Sequence, residues 1–227
     1  MKKVAIFDID GTVFRSSLLI ETTNMLIAGK VFPEKTGNFY RQAYENWANR
    51  LDSYDKYINA VVQAFEQNIK GVKRADFRRI VRKTIALHKY RVYRYTRDLV
   101  KKLKAQEYYL LAISHSPKDI VEEFAKHLGF DMVYGRIFEV GKDGKFTGKI
   151  LYADIINDKA KSLKFAIKKE KLVLKGSIGL GDSEGDIAFL KMVERPICFN
   201  PNSILYRQAK RAKWEIVVER KDVVYKI

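Results

Sequence analysis

The chain has 227 residues, room for one large domain or for a core with a smaller companion, and 47% of them are apolar, enough to fill a buried core. No apolar run approaches the roughly 18 residues of a membrane span; Met1-Lys2-Lys3 leads into too few apolar residues for a signal peptide; and Cys198, the one cysteine, excludes an internal disulfide. These features point to a cytoplasmic protein, and the net charge of +17 points to anionic partners or to a lysine-rich solvated exterior without choosing between them.

Residues 4–7 read as a short buried strand, and Gly11-Thr12 opens a loop after it. From residue 16 to 88 apolar and aromatic residues recur at helical spacing (Tyr40, Tyr44, Trp47, Leu51; Tyr57, Val61, Phe65; Phe77, Ile80, Val81), which predicts three or four helices and no strand. The aromatic residues of this stretch, Tyr54 included, fit the core of that unit better than a stacking platform. Beyond residue 91 strands and helices alternate: a helix over 96–106, strand 108–113, helix 117–128 closed by Gly129, strand 132–137 and a hairpin over 138–150 turning at Lys142-Asp143-Gly144-Lys145. Helix 158–169, strand 177–180, helix 186–193, strand 196–199, helix 203–212 and strand 214–218 complete the series. This order predicts an α/β fold, a doubly wound and mostly parallel sheet, with a helical unit inserted after the first strand. The expected division is residues 1–15 and 91–227 for the α/β core and 16–90 for the insert.

In such sheets ligands bind beyond the carboxyl ends of the strands. The polar residues there are Asp8, Asp10, Ser114, Ser116, Asp182 and Asp186. Asp8 and Asp10, two apart at a strand end, can address one point in space. Asp182 and Asp186, in a loop with Gly179, Gly181 and Gly185, bring two more carboxylates to the same rim. Four acids so close call for a hard divalent cation, and Mg²⁺ takes oxygen ligands together with substrate phosphate. Ser114 at a strand tip suits phosphate oxygens, whereas Ser116 fits a helix N-cap with Pro117 as the first helical residue. Lys159, at the head of a helix, supplies a balancing cation; Lys161 competes for that place.

The run Asp8-Ile9-Asp10-Gly11-Thr12, Ser114, Lys159 and Gly181-Asp182-Ser183-Glu184-Gly185-Asp186 resembles the four motifs of the haloacid dehalogenase superfamily, in order. The helical insert resembles its C1-type cap. Ile113-Ser114-His115-Ser116-Pro117, and Pro196-Ile197-Cys198-Phe199-Asn200-Pro201-Asn202 with Trp214 after it, are similar to subfamily IB, the group that includes phosphoserine phosphatase. The resemblance implies a Mg²⁺-dependent phosphomonoester hydrolase acting on a small phosphorylated metabolite through an aspartyl-phosphate. It implies Asp8 as nucleophile and Asp10 as acid and base. The metal falls to Asp8, the main-chain carbonyl of Asp10, and Asp182, with Asp186 orienting Lys159 or a metal-bound water. Phosphoryl oxygens fall to Ser114, Lys159 and the N–H groups around Gly11, Thr12 and His115. Asp10 speaks for phosphate esters over dehalogenation, because a leaving oxygen needs a proton; transfer to an acceptor other than water shares the same motifs.

Ser17 stands where phosphoserine phosphatases carry a cap glutamate, with Glu21 four residues on, and no segment matches their cap arginine. Arg15, Arg41 and Arg50 read as surface residues. Two other functions fit the charge. A nucleic-acid-binding protein or polynucleotide end phosphatase is possible in principle but not favoured, since no basic-aromatic motif is recognisable. A lipid-phosphate or membrane-surface phosphatase would use the basic stretch 72–95. The oligomeric state is open.

Overall fold

A computed structural model describes residues 2–227. Strand β1 (Lys2–Phe7) is followed by four helices, α1 (Leu18–Ala28), α2 (Asn38–Ala48), α3 (Tyr54–Ile69) and α4 (Arg74–His88). Then come α5 (Arg94–Ala105), β2 (Tyr109–Pro117), α6 (Lys118–Leu128), β3 (Met132–Val140) and β4 (Phe146–Leu151). The last stretch holds α7 (Ala153–Ile156), α8 (Lys159–Glu170), β5 (Leu172–Gly181), α9 (Ile187–Leu190), β6 (Arg195–Phe199), α10 (Ser203–Ala212), β7 (Glu215–Arg220) and β8 (Val223–Lys226). Among the described residues no helix is long and apolar enough to cross a membrane.

The chain forms two compact units. The α/β unit comprises the residues up to Ser16, Lys89–Arg136 and Tyr152–Ile227. Its strands lie in the order β3-β2-β1-β5-β6-β7-β8, parallel except for the β7–β8 hairpin. β1 is central, and Val4, Ala5, Ile6 and Phe7 are fully buried, as a parallel strand covered on both faces requires. Val4 and Ile6 join Leu111, Ile113, Leu163, Ala166 and Phe189 in one cluster, while Phe7 sets its ring edge-on to Phe130. Phe7 stands beside Ala112 of β2 and Leu180 of β5, so three strand tips end at one level.

Two elements differ from the sequence reading. β5 begins at Leu172, well before residue 177, because Lys2 and Lys3 pair with Leu172 and Val173 before the register shifts; Lys175 and the left-handed Gly176 interrupt the apolar run that would have shown it. The helix read over 186–193 is a 3₁₀ turn over Glu184–Asp186 followed by the short α9.

The helical unit comprises Ser17–His88 and Ile137–Leu151. The hairpin read as part of the α/β core therefore groups with the helices. β3 runs on past Arg136, and its distal half pairs antiparallel with β4. Phe138 and Phe146 put their rings against Phe65 and Phe77, which is why the hairpin belongs here. Tyr40 and Tyr57 are buried, but Tyr44, Trp47 and Tyr54 reach the surface in a ring-on-ring cluster around Tyr57.

Candidate active site

Asp8 continues β1 by one step, its N–H donating to the Leu180 carbonyl at 2.9 Å. The chain then turns on the Ile9 carbonyl, which accepts from Thr12, Val13 and Phe14. Gly11 sits at φ +81°, and a Cβ there would strike the Asp182 carboxylate, so glycine is what lets the two loops meet. The N–H of Gly11 donates to the Phe14 and Ser16 carbonyls and that of Thr12 to Ile9, so the phosphate contacts expected from these two amides are taken up in the turn itself. Thr12 instead donates its hydroxyl to Asp8 Oδ2 at 3.2 Å.

Lys159 is the first helical residue after Asp158, the N-cap of α8, whose carboxylate accepts from the N–H groups of Ala160 and Lys161. That placement buries Lys159, which donates from Nζ to Asp8 Oδ1 at 2.6 Å and Asp186 Oδ1 at 2.5 Å. Lys161 is exposed. Asp186, fully buried, accepts on Oδ2 from the N–H groups of Asp182 and Ser183 at 2.9 and 3.0 Å. A Cβ on Gly181 would collide with Asp186, which explains the second glycine of this loop.

The Asp10 side chain takes a different direction. Its Oδ2 accepts from Ser114 Oγ at 3.1 Å and Ser116 Oγ at 2.7 Å, and Ser114 Oγ accepts from the Ser116 N–H at 3.0 Å. Ser116 therefore does not cap α6. Pro117 is the N-cap residue and Ser116 belongs to β2. Sequence reasoning missed its part at Asp10, although the two-residue spacing from Ser114 places both hydroxyls on one side of the strand.

His115 bonds through its ring to the main chain of Asn157, and burial, then the charges of Lys159 and Arg136, push it down to about 4. The imidazole is thus neutral at pH 7. Its Nε2 is buried without a hydrogen-bond partner among the described residues.

Electrostatics mark Asp8 and Asp182. Burial, against the pull of Lys159 and with repulsion from Asp186 and Asp10, pushes Asp8 up to about 7. Burial and the charges of Asp8 and Asp186 raise Asp182 well above the usual carboxylate range. Burial alone would lower Lys159, but Asp186 and Asp8 outweigh it and hold the ammonium charged. Single oxygens of Asp8, Asp182 and Asp186 all lie within 4.8 Å of one another. One lysine against these acids leaves negative charge in excess, and oxygen-only donors at this spacing fit a hard divalent cation such as Mg²⁺.

The family model described as haloacid dehalogenase-like hydrolase matches residues 5–191. The chain is 25% identical over 225 residues to the "Inhibition of morphological differentiation protein" of Streptomyces azureus, covering 95% of this chain and 78% of that one. It is 26% identical over 227 residues to a histidinol-phosphatase of Neisseria meningitidis serogroup C (strain 8013), covering 96% and 99%. In structure it is similar to a phospho-aspartyl intermediate analogue of phosphoserine phosphatase, with TM-score 0.59, 21% identity and coverage of 97% and 95%.

Proposed function

The chain belongs to the haloacid dehalogenase-like hydrolases and is a phosphoric monoester hydrolase, and from that premise we propose that it hydrolyses a small phosphorylated metabolite with Asp8 as the nucleophile. One observation carries the reading: a buried Asp8 gripped by Lys159, with Asp10 of the same loop held by two serine hydroxyls.

Asp8 attacks phosphorus, the ester P–O bond breaks, and an aspartyl-phosphate forms. Asp10 delivers a proton to the leaving oxygen, then takes one from the water that attacks the aspartyl-phosphate. Lys159 neutralises charge on the attacking carboxylate and on the phosphoryl oxygens, and Asp186 keeps its ammonium in place. Ser114 lies beside Asp10 at the strand tip, where its hydroxyl can also reach a phosphoryl oxygen. Asp8, the Asp10 carbonyl and Asp182 would hold a Mg²⁺ ion, which when bound screens repulsion between carboxylate and phosphate.

The helical unit, inserted directly after the Asp8 loop, serves as the cap that excludes water and selects the substrate. Ser17, at the position of the glutamate in phosphoserine phosphatases, is buried and accepts from the Ile20 N–H as the N-cap of α1. A role as N-cap does not support recognition of a serine ammonium. Phosphoserine and histidinol phosphate, the substrates named by the relatives, are the first two compounds to compare.

The test is hydrolysis of an aryl phosphate with Mg²⁺ by the wild type and Asp8→Asn. Loss of the nucleophile should lower kcat by about a thousandfold or more, equivalent to at least about 4 kcal/mol. Turnover that survives the substitution refutes Asp8 as the attacking group.

A further inference from the structure

The charge of the helical unit is segregated. Between residues 17 and 69 five lysines and arginines stand against six acids, whereas between residues 70 and 83 seven stand against Asp76 alone. The hairpin adds Lys142, Lys145 and Lys149 against Glu139 and Asp143.

The fold joins these two segments. The Gly71 N–H donates to the Phe146 carbonyl at 2.8 Å, Phe146 donates back to Val72 at 2.9 Å, and Arg74 donates to Gly144 at 2.9 Å. Lys73 and Lys145 are bridge partners, so the turn between α3 and α4 lies along β4 as a further strand-like segment. The Lys70 stem packs on Gly148. Exposed cations of the turn, of α4 and of the hairpin thus share one continuous surface.

On α4 the like-charged pairs Arg74/Arg78, Arg78/Arg82 and Arg79/Lys83 are spaced i, i+4, which opposes the helix that carries them. Charge placed only for solubility would be interspersed with acids, as it is on α2 and α3. Neither 70–83 nor 139–149 exposes a large hydrophobic side chain; the one on α4, Leu87, lies past the last cation. The surface thus lacks the aromatic platform on which single-stranded bases stack and the apolar stripe that enters a bilayer. Dense phosphates presented by a duplex match it.

We propose that the surface formed by the α3–α4 turn, α4 and the β3–β4 turn binds the phosphodiester backbone of a nucleic-acid duplex without reading its bases. This does not depend on the phosphatase reading.

The experiment titrates fluorescent DNA and RNA duplexes of about 20 base pairs, of arbitrary sequence, with the full chain and follows anisotropy against salt. With six or more phosphates engaged, affinity should fall about a thousandfold between 50 and 200 mM salt. Lys73→Glu/Arg78→Glu/Lys145→Glu should weaken binding by about tenfold or more. Lys101→Glu/Lys168→Glu/Lys210→Glu, an equal change of net charge on exposed residues of the α/β unit, should leave most of it. Thermal midpoint and aryl-phosphate turnover should stay as in the wild type; if the first variant fails to fold, the corresponding glutamine triple variant replaces it. Equal weakening by both charge reversals, no binding at low salt, or tighter binding to phosphatidylserine vesicles than to either duplex would overturn the proposal.

Discussion

Lys159 is the residue on which the site's electrostatics turn, because it is buried between two carboxylates. Lys159→Met should destabilise the fold by about 3–5 kcal/mol, the usual effect of removing one partner from a buried pair, measured by urea unfolding. Ser116 allows a narrower test. Its hydroxyl is the shorter of the two bonds to Asp10, and Ser116→Ala should lower kcat by about 10- to 100-fold, the worth of a hydrogen bond to a charged group, with little change in KM. A Ser116→Ala enzyme as active as wild type would remove this residue from the site. Asp8, Asp182, Asp186 and Lys159 were legible from spacing and from resemblance to the superfamily motifs. Ser116 was hidden because Ser-Pro before a helix imitates a cap. The spending of the Gly11 and Thr12 amides was hidden because it depends on how tightly the loop closes.

At the level of elements, α8 places the lysine and β5 places the acids. Asp158→Ala removes the α8 N-cap, which should cost about 1 kcal/mol of stability and also lower turnover, since Lys159 directly follows the cap. Unfolding and kcat measured on the same variant separate these effects. Strand tips aligned by the register of Phe7 with Ala112 and Leu180 explain why residues far apart in sequence converge. Apolar periodicity located most of these elements. It failed where pairing partners decide the outcome: for the first half of β5, drawn into the sheet by Lys2 and Lys3, and for β8, a short exposed strand formed by its hairpin with β7.

For the whole molecule, protonation and metal are linked. Asp8 has its folded value raised to about 7, so its contribution to stability is fully present below its ordinary value and is lost as pH rises through 7; Asp182 shifts in the same direction. Metal-free protein should therefore lose this contribution between about pH 4 and 7. Mg²⁺ binds the ionised acids, so the rise in Tm on adding it should be larger at pH 8 than at pH 5, reaching about 2.7 kcal/mol of stabilisation at one hundred times Kd. Calorimetry at the two pH values checks this, and an equal effect at both would argue against the carboxylate cluster as the metal site. The +17 charge announced anionic partners in the sequence, but not that the helical unit gathers its share on one surface, because that depends on a turn pairing with a hairpin some 70 residues away.

The chain passes between the two units four times, after Ser16, His88, Arg136 and Leu151. Trimming the protein to a minimal hydrolase by cutting out residues 17–88 alone would strand the hairpin and leave the rings of Phe138 and Phe146 without Phe65 and Phe77 to cover them. A transplant of this insert into another scaffold must carry two separate stretches of polypeptide and splice both, so circular permutants and chimaeras designed on a single junction pair should aggregate where paired-junction designs stay in solution.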